Sequence, residues 1–167
     1  MKEYDIAIIG TGPSGAMAAY HAAKNGKKVI LIEKEKLPRY KTCGGGLVHR
    51  GRIRLPFSID EVVEKEFYEL EVFFEKSPHF FKAKRDEPII SMVMRDTFDQ
   101  FLVNKALEKG AQIITQTSMV GLTREVDGVL VKTSGEDIKC QYLIGADGAL
   151  SPTAKLGVDA VAGRFFD

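Results

Sequence analysis

Apolar positions near the start of the chain form two short continuous runs, residues 4–9 and 28–32, with an alanine-rich segment between them. Continuous runs of this length are typical of strands buried on both faces of a parallel sheet. Residues 13–25 begin with a proline, are rich in helix formers and are followed by Gly26, a pattern that predicts a helix. The start of the chain therefore predicts a compact β-α-β unit with a right-handed crossover.

The middle of the chain has weaker patterns. Residues 34–54 lack periodicity and contain several glycines and basic residues, which predicts a long functional loop with one short helix. Residues 67–84 and 88–94 mix aromatic, charged and strand-forming positions and predict an inserted antiparallel sheet. Because no linker or repeat divides the chain, we expect one domain, residues 1–167, with an antiparallel insertion at about 55–94.

Regular patterns return later in the chain. Residues 95–109 place Phe98, Leu102 and Ala106 four positions apart and predict an amphipathic helix. Residues 111–114 predict a short strand, and the segments after it, bounded by turn residues, predict an antiparallel meander. The meander strands are expected at 118–125, 128–133 and 137–144.

Composition and charge narrow the class of protein. The 167 residues are 44% apolar, which is enough for a core without disulfides, and the formal net charge is +1, so no nucleic-acid partner is expected. No apolar stretch approaches the roughly 18 residues of a membrane span, and no secretory signal is present, so we expect a cytoplasmic protein, soluble or peripheral to a membrane. Cys43 and Cys140 form no C-x-x-C pair and the histidines are scattered, so we expect reduced thiols and no metal site.

The segment Gly10-Thr11-Gly12-Pro13-Ser14-Gly15 is a G-x-G-x-x-G sequence between the first predicted strand and helix. Its glycines permit a tight turn and close approach of a pyrophosphate to the helix N-terminus. Glu33 ends the next strand, where a carboxylate can accept hydrogen bonds from an adenosine ribose. The alternative is an ordinary glycine turn with Glu33 in solvent, and the motif does not separate NAD(P) from FAD. The candidate dinucleotide-binding residues are Gly10, Gly12, Pro13, Ser14, Gly15 and Glu33.

A second glycine turn, Gly145-Ala146-Asp147-Gly148, follows the last predicted strand. A buried strand would deliver the Asp147 carboxylate into this turn, where it can accept hydrogen bonds from a polyhydroxyl chain. The alternative is that Asp147 caps a helix beginning near Ser151.

Residues 142–151 resemble the G-A-D-G segment of flavoproteins of the aromatic-hydroxylase and geranylgeranyl-reductase superfamily. The resemblance implies that Asp147 and Gly148 lie at the flavin ribityl chain. Residues 95–102 resemble the arginine-led helix of the same superfamily, which implies that Arg95 reaches the FAD; the alternative is a surface helix in which Arg95 pairs with Asp99. Val120 matches the position whose backbone meets the adenine, and otherwise is an ordinary core valine.

Residues 38–47 resemble the C-G-x-G loop of geranylgeranyl reductases. Three glycines let backbone lie flat against a ring system, and the basic side chains Arg39 and Lys41 suit anionic head groups or phosphate. The alternative is a solvated loop with an inert thiol. The resemblance makes Cys43 a candidate catalytic residue near the flavin or substrate, and it adds cofactor-binding candidates at Cys43, Gly44, Gly45 and Gly46.

The resemblance implies an α/β fold: a Rossmann-like FAD-binding domain with three layers in the order β-β-α and an inserted antiparallel sheet. It implies that reduced FAD saturates C=C bonds of an isoprenoid lipid, with NADPH or a reduced electron carrier as the electron donor. Family members continue well beyond this length, so we expect a C-terminally truncated domain with an exposed apolar face and weak flavin retention. The alternatives are a flavin monooxygenase or halogenase and a catalytically silent FAD-binding module.

Overall fold

The computed structural model describes residues 2–156, which form two compact units. Among the described residues, the first unit comprises residues 2–39 and 99–156, and the second comprises residues 40–98. The predicted domain extends to residue 167, and residues 157–167 lie outside the described residues. The strands are β1 (Lys2–Ile9), β2 (Val29–Ile32), β3 (Gly46–Val48), β4 (Val63–Phe67), β5 (Glu69–Phe73), β6 (Phe80–Lys84), β7 (Ile90–Val93), β8 (Gln112–Ile114), β9 (Met119–Glu125), β10 (Gly128–Thr133) and β11 (Ile138–Gly145), and the helices are α1 (Pro13–Lys24), α2 (His49–Arg52), α3 (Arg95–Glu108) and α4 (Pro152–Lys155).

The first unit is built on a six-stranded sheet with the order β8-β2-β1-β11-β10-β9. The first four of these strands are parallel, and β10 and β9 extend the sheet antiparallel. In the register, Ile9 at the end of β1 lies between Ile32 of β2 and Gly145 of β11. The structure therefore confirms the predicted β-α-β unit and the late meander, and it brings the ends of β1, β2 and β11 together at one edge.

Small residues on α1 let this helix pack closely on the sheet. Ala16, Ala19 and Ala23 are buried along one face of α1, which contacts β1 and β2. A core cluster that includes Tyr4, Ile30, Val131 and Ile138 joins four strands of the sheet. These contacts fix the loop between β1 and α1, because both of its flanking elements are buried. The predicted Phe98, Leu102 and Ala106 of α3 are also buried.

The second unit contains two antiparallel sheets where the sequence predicts one. Strands β3, β7 and β4 form a three-stranded sheet, and β5 and β6 form a separate two-stranded ribbon. The predicted loop at 34–54 includes α2 as its short helix, but it also includes β3. This short strand forms because Gly45 adopts a φ of +71° and accepts a hydrogen bond from the Val93 N–H at 2.9 Å. The predicted single domain with an insertion at about 55–94 stays a prediction.

None of the helices formed by residues 2–156 has the length and apolar character needed to cross a membrane.

Candidate functional site

The loop between β1 and α1 is a tight turn that only glycine can build. Gly10 has a φ of +96°, and a β carbon at this position would lie 2.5 Å from the Ala146 carbonyl oxygen. A β carbon on Gly15 would collide with the Gly10 carbonyl oxygen. The two glycine turns predicted from the sequence therefore lie against each other, and the Ala146 N–H donates to the Ile9 carbonyl at 2.8 Å.

The N-terminus of α1 opens directly from this turn. Gly12 is the N-cap residue, Pro13 is the first helical residue, and the first turn contains neither an acidic residue nor a side-chain cap. The amides at such a helix end carry partial positive charge and attract anions. A β carbon on Gly12 would be 3.8 Å from its nearest neighbour, Nη2 of Arg39. The predicted Ser14 lies in the first turn of the same helix.

Glu33 lies beside this turn and is 4% exposed. Its Oε2 accepts hydrogen bonds from the Thr11 hydroxyl and, at 3.1 Å, from the Thr11 N–H. Its Oε1 accepts one from the Glu35 N–H at 3.0 Å. Burial alone would raise the pKa of Glu33, but these hydrogen bonds and the charge of Arg39 lower the pKa below its ordinary value of 4.5. Glu33 is therefore a buried anion at neutral pH, and its Oε1 has capacity for a further donor.

Arg39 joins this site from the segment after β2. Its Nε lies 3.5 Å from Glu33 Oε2, and its Nη2 lies 3.5 Å from Asp99 Oδ2 on α3. Sequence reasoning missed the roles of Thr11 and Asp99. Thr11 occupies a variable position of the glycine motif, so the motif does not predict its role. Asp99 could have been noticed as an acidic residue among the apolar positions of a predicted helix.

Asp147 lies in the second glycine turn, at the end of β11. Its Oδ2 accepts hydrogen bonds from the Thr153 N–H at 2.9 Å and from the Thr153 hydroxyl at 2.7 Å. Burial would raise the pKa of Asp147, but hydrogen bonds from Ser151 and Thr153 lower it below 3.8. Ser151 itself caps α4, because its Oγ accepts the Ala154 N–H. Asp147 thus accepts hydrogen bonds from Thr153 in the first turn of α4, whose N-cap is Ser151, and the ribityl contact of Asp147 and Gly148 stays a prediction.

The other predicted site residues lie in the loop that leads into β3, at the start of α3 and on β9. The Cys43 side chain is exposed and its Sγ accepts a hydrogen bond from the Gly45 N–H at 3.5 Å. Arg95 is the half-buried first residue of α3. Val120 lies on the edge strand β9 and is 61% exposed, so it is not a core valine. Cys43, Gly44, Gly45, Gly46 and Arg95 all belong to the second unit.

Comparison of the sequence with known protein families identifies the family of this chain. The sequence profile of the family described as "FAD binding domain" matches residues 3–164. The chain belongs to this FAD-binding family.

No group of three or more His, Cys, Asp or Glu side chains that could hold a metal lies within residues 2–156.

Two relatives place this FAD-binding chain near the geranylgeranyl reductases, as its motifs predict. It is 31% identical over 160 residues to the digeranylgeranylglycerophospholipid reductase of Methanocaldococcus jannaschii, covering 91% of this chain and 40% of that protein. The structure of a geranylgeranyl bacteriochlorophyll reductase-like protein from Thermoplasma acidophilum matches with a TM-score of 0.76 and 25% identity, covering 89% of this chain and 40% of that one. The chain thus spans about 40% of the length of these relatives.

A variant of the halogenase PltM in complex with FAD shares the same fold. The TM-score is 0.75 and the identity 21%, covering 92% of this chain and 36% of that one. These matches confirm the predicted Rossmann-like FAD-binding fold.

The residues at the β1–α1 turn fit FAD on their own geometry. Gly10 and Gly15 let the backbone pack tightly enough to form the turn, the β-carbon position of Gly12 has only Arg39 Nη2 near it, and the first turn of α1 carries no acid to repel a diphosphate. Glu33 supplies an ionised acceptor next to the turn. An anion-binding helix end beside a hydrogen-bonding carboxylate is the donor and acceptor set that an ADP group requires.

Proposed function

We propose that this chain is the FAD-binding part of an oxidoreductase that reduces C=C bonds in an isoprenoid lipid of the geranylgeranyl type. The observation that carries this proposal is the 31% identity to a digeranylgeranylglycerophospholipid reductase across 91% of the chain. The packing of Gly10 against Ala146 supports it, because the two glycine turns of the sequence then lie next to each other.

The residues have distinct roles in this proposal. The turn at Gly10, Gly12, Pro13, Ser14 and Gly15 receives the pyrophosphate at the N-terminus of α1. Glu33 accepts hydrogen bonds from the adenosine ribose, and Asp147 and Gly148 lie at the ribityl chain. Val120 meets the adenine through its backbone, and Arg95 neutralises phosphate charge. The loop formed by Cys43, Gly44, Gly45 and Gly46 lies along the flavin or the substrate.

Reduced FAD, when bound, supplies a hydride, and the C=C bond takes up that hydride and a proton to become a single bond. Electrons come from NADPH or a reduced electron carrier. We expect a cytoplasmic protein that meets its lipid substrate at a membrane surface.

The experiment is a two-stage assay on the purified protein. First, FAD is added and its absorption is followed before and after dithionite under anaerobic conditions, with Gly12→Val as the variant that blocks the turn. Second, the reduced protein is mixed with a geranylgeranyl phospholipid, and the product mass is measured. Reoxidation of the flavin with a gain of two hydrogens per double bond supports the proposal. Bound flavin that no isoprenoid reoxidises would instead indicate a silent FAD-binding module, and a hydroxylated or halogenated aromatic product would indicate a different enzyme of the superfamily.

A further inference from the structure

Arg39 is held between two buried carboxylates beside the β1–α1 turn. Its side chain is 15% exposed, while Glu33 and Asp99 are 4% and 1% exposed. Arginine in such a position loses most of its hydration, so its charge is weakly screened and acts strongly on nearby groups. The segment after β2 carries other basic residues, including Lys41, which is exposed. Arg39 is therefore distinguished from its basic neighbour by its surroundings.

The two ion pairs of Arg39 within the described residues do not use the whole guanidinium. Both ion pairs measure 3.5 Å, longer than the roughly 2.7–2.9 Å of a tight charge-assisted hydrogen bond. They involve Nε and Nη2, and Nη1 takes part in neither. A guanidinium has five N–H donors in a planar fork, an arrangement that suits phosphate oxygens.

The same guanidinium lies beside the helix end that would receive the diphosphate. Nη2 is 3.8 Å from the β-carbon position of Gly12, the N-cap of α1. Two carboxylates next to an anion-binding turn would repel a diphosphate, and the positive charge between them offsets that repulsion. The charge and donors that Arg39 supplies at this place are those that a pyrophosphate needs.

We infer that Arg39 is a cofactor-binding residue that contacts the FAD pyrophosphate, and that Asp99 is its positioning residue. This inference rests on the FAD binding in the proposed function, but not on the lipid substrate. Asp99 fixes the guanidinium from the α3 side, and Glu33 fixes it from the ribose side. Arg39 thus shares one site with the glycine turn and adds a side-chain cation to its backbone amides.

The test compares ADP with adenosine, which differ by the pyrophosphate alone. Both are titrated as competitors of FAD against the wild type and Arg39→Gln, with Lys36→Gln, at an exposed basic residue of the same segment, as the matched control. We expect Arg39→Gln to weaken ADP binding by about 10- to 100-fold, which corresponds to the loss of one hydrogen bond to a charged group, and to leave adenosine binding within about threefold. Lys36→Gln should change neither. Asp99→Asn should weaken ADP binding less than Arg39→Gln does.

Equal losses for ADP and adenosine would overturn the inference, because Arg39 would then act only by positioning Glu33. Unchanged ADP binding in a folded Arg39→Gln variant would also overturn it, while leaving the proposed function intact. If the wild type binds neither FAD nor ADP, both the proposed function and this inference fail. If Arg39→Gln does not fold, Arg39→Lys replaces it in the test. Lysine keeps the positive charge but not the planar fork of donors, so we expect a several-fold loss of affinity for ADP and no loss for adenosine.

Discussion

Gly10 and Ala146 lie so close that a β carbon on Gly10 would be 2.5 Å from the Ala146 carbonyl oxygen. They belong to different motifs that are far apart in the sequence, and the Ala146 N–H bonds to the end of β1. The turn between β1 and α1 and the turn that carries Asp147 therefore pack directly against each other. A change in one turn is expected to disturb the other.

Replacement of Gly10 by alanine tests the close packing of the two turns. Gly10→Ala combines the cost of a positive φ with a collision against backbone, which cannot rotate away. Gly26→Ala is the matched control, since Gly26 has a φ of +76° with open space around it, so only a backbone cost of about 1–2 kcal/mol applies. We expect Gly10→Ala to lower the free energy of unfolding by about 2 kcal/mol more than Gly26→Ala, measured by urea denaturation. Equal losses in the two variants would show that Ala146 can move aside.

Glu33 should make stability depend on pH. Its folded pKa is below 4.5, so its contribution is complete above pH 4.5 and is lost as the pH falls through the folded pKa. Glu33→Gln leaves the Thr11 donors with a poorer acceptor, and we expect it to cost about 1–3 kcal/mol at pH 7. The gap between wild type and variant should narrow below pH 4.5 in denaturation series at several pH values. Glu35→Gln, at an exposed neighbour, is the control; a gap that is constant with pH would contradict the assignment.

The role proposed for Asp147 can be tested separately from that of the residues proposed to bind ADP by choosing the ligand. ADP lacks the ribityl chain, so Asp147→Ala should weaken FAD binding by about tenfold or more and leave ADP binding unchanged. The exposed Asp127 provides the control variant Asp127→Ala. If Asp147 serves only the start of α4 through Thr153, then Asp147→Ala will lower the melting temperature without separating FAD from ADP.

The two thiols should differ in reactivity. Cys43 is exposed, whereas Cys140 is buried and its pKa is raised by that burial. A maleimide is expected to label one thiol per native chain and two in urea, with Cys43→Ser abolishing the native reaction. Saturating FAD should slow the labelling of Cys43 if its loop lies along the flavin. Unchanged labelling with FAD bound would separate this loop from the cofactor.

The sequence predicts the parts of the site that depend on local pattern. The predicted strands 4–9 and 28–32 end at the same residues as β1 and β2 and differ from them by only two residues and one residue at the start, because buried parallel strands have a distinctive continuous apolar pattern. The position of Gly10 between a strand and a helix also follows from local sequence.

The rest depends on contacts between distant segments. Strand β3 exists because it pairs with β7, and β5 and β6 pair only with each other in the described sheets, which no local pattern reveals. The Arg39 ion pair with Asp99 joins a loop to a helix that begins more than fifty residues later. Long-range pairing of this kind overrides local propensity.

The position of β1 between β2 and β11 determines when the site can form as the chain is synthesised. Residues 2–33 leave the ribosome early, yet one side of β1 has no hydrogen-bonded neighbour until residues 138–145 follow. The nascent turn at Gly10 also lacks Ala146 against which it packs. Such a late partner makes folding slow and leaves an unpaired strand edge exposed during translation. Strand β1 therefore needs protection against aggregation until β11 has been synthesised.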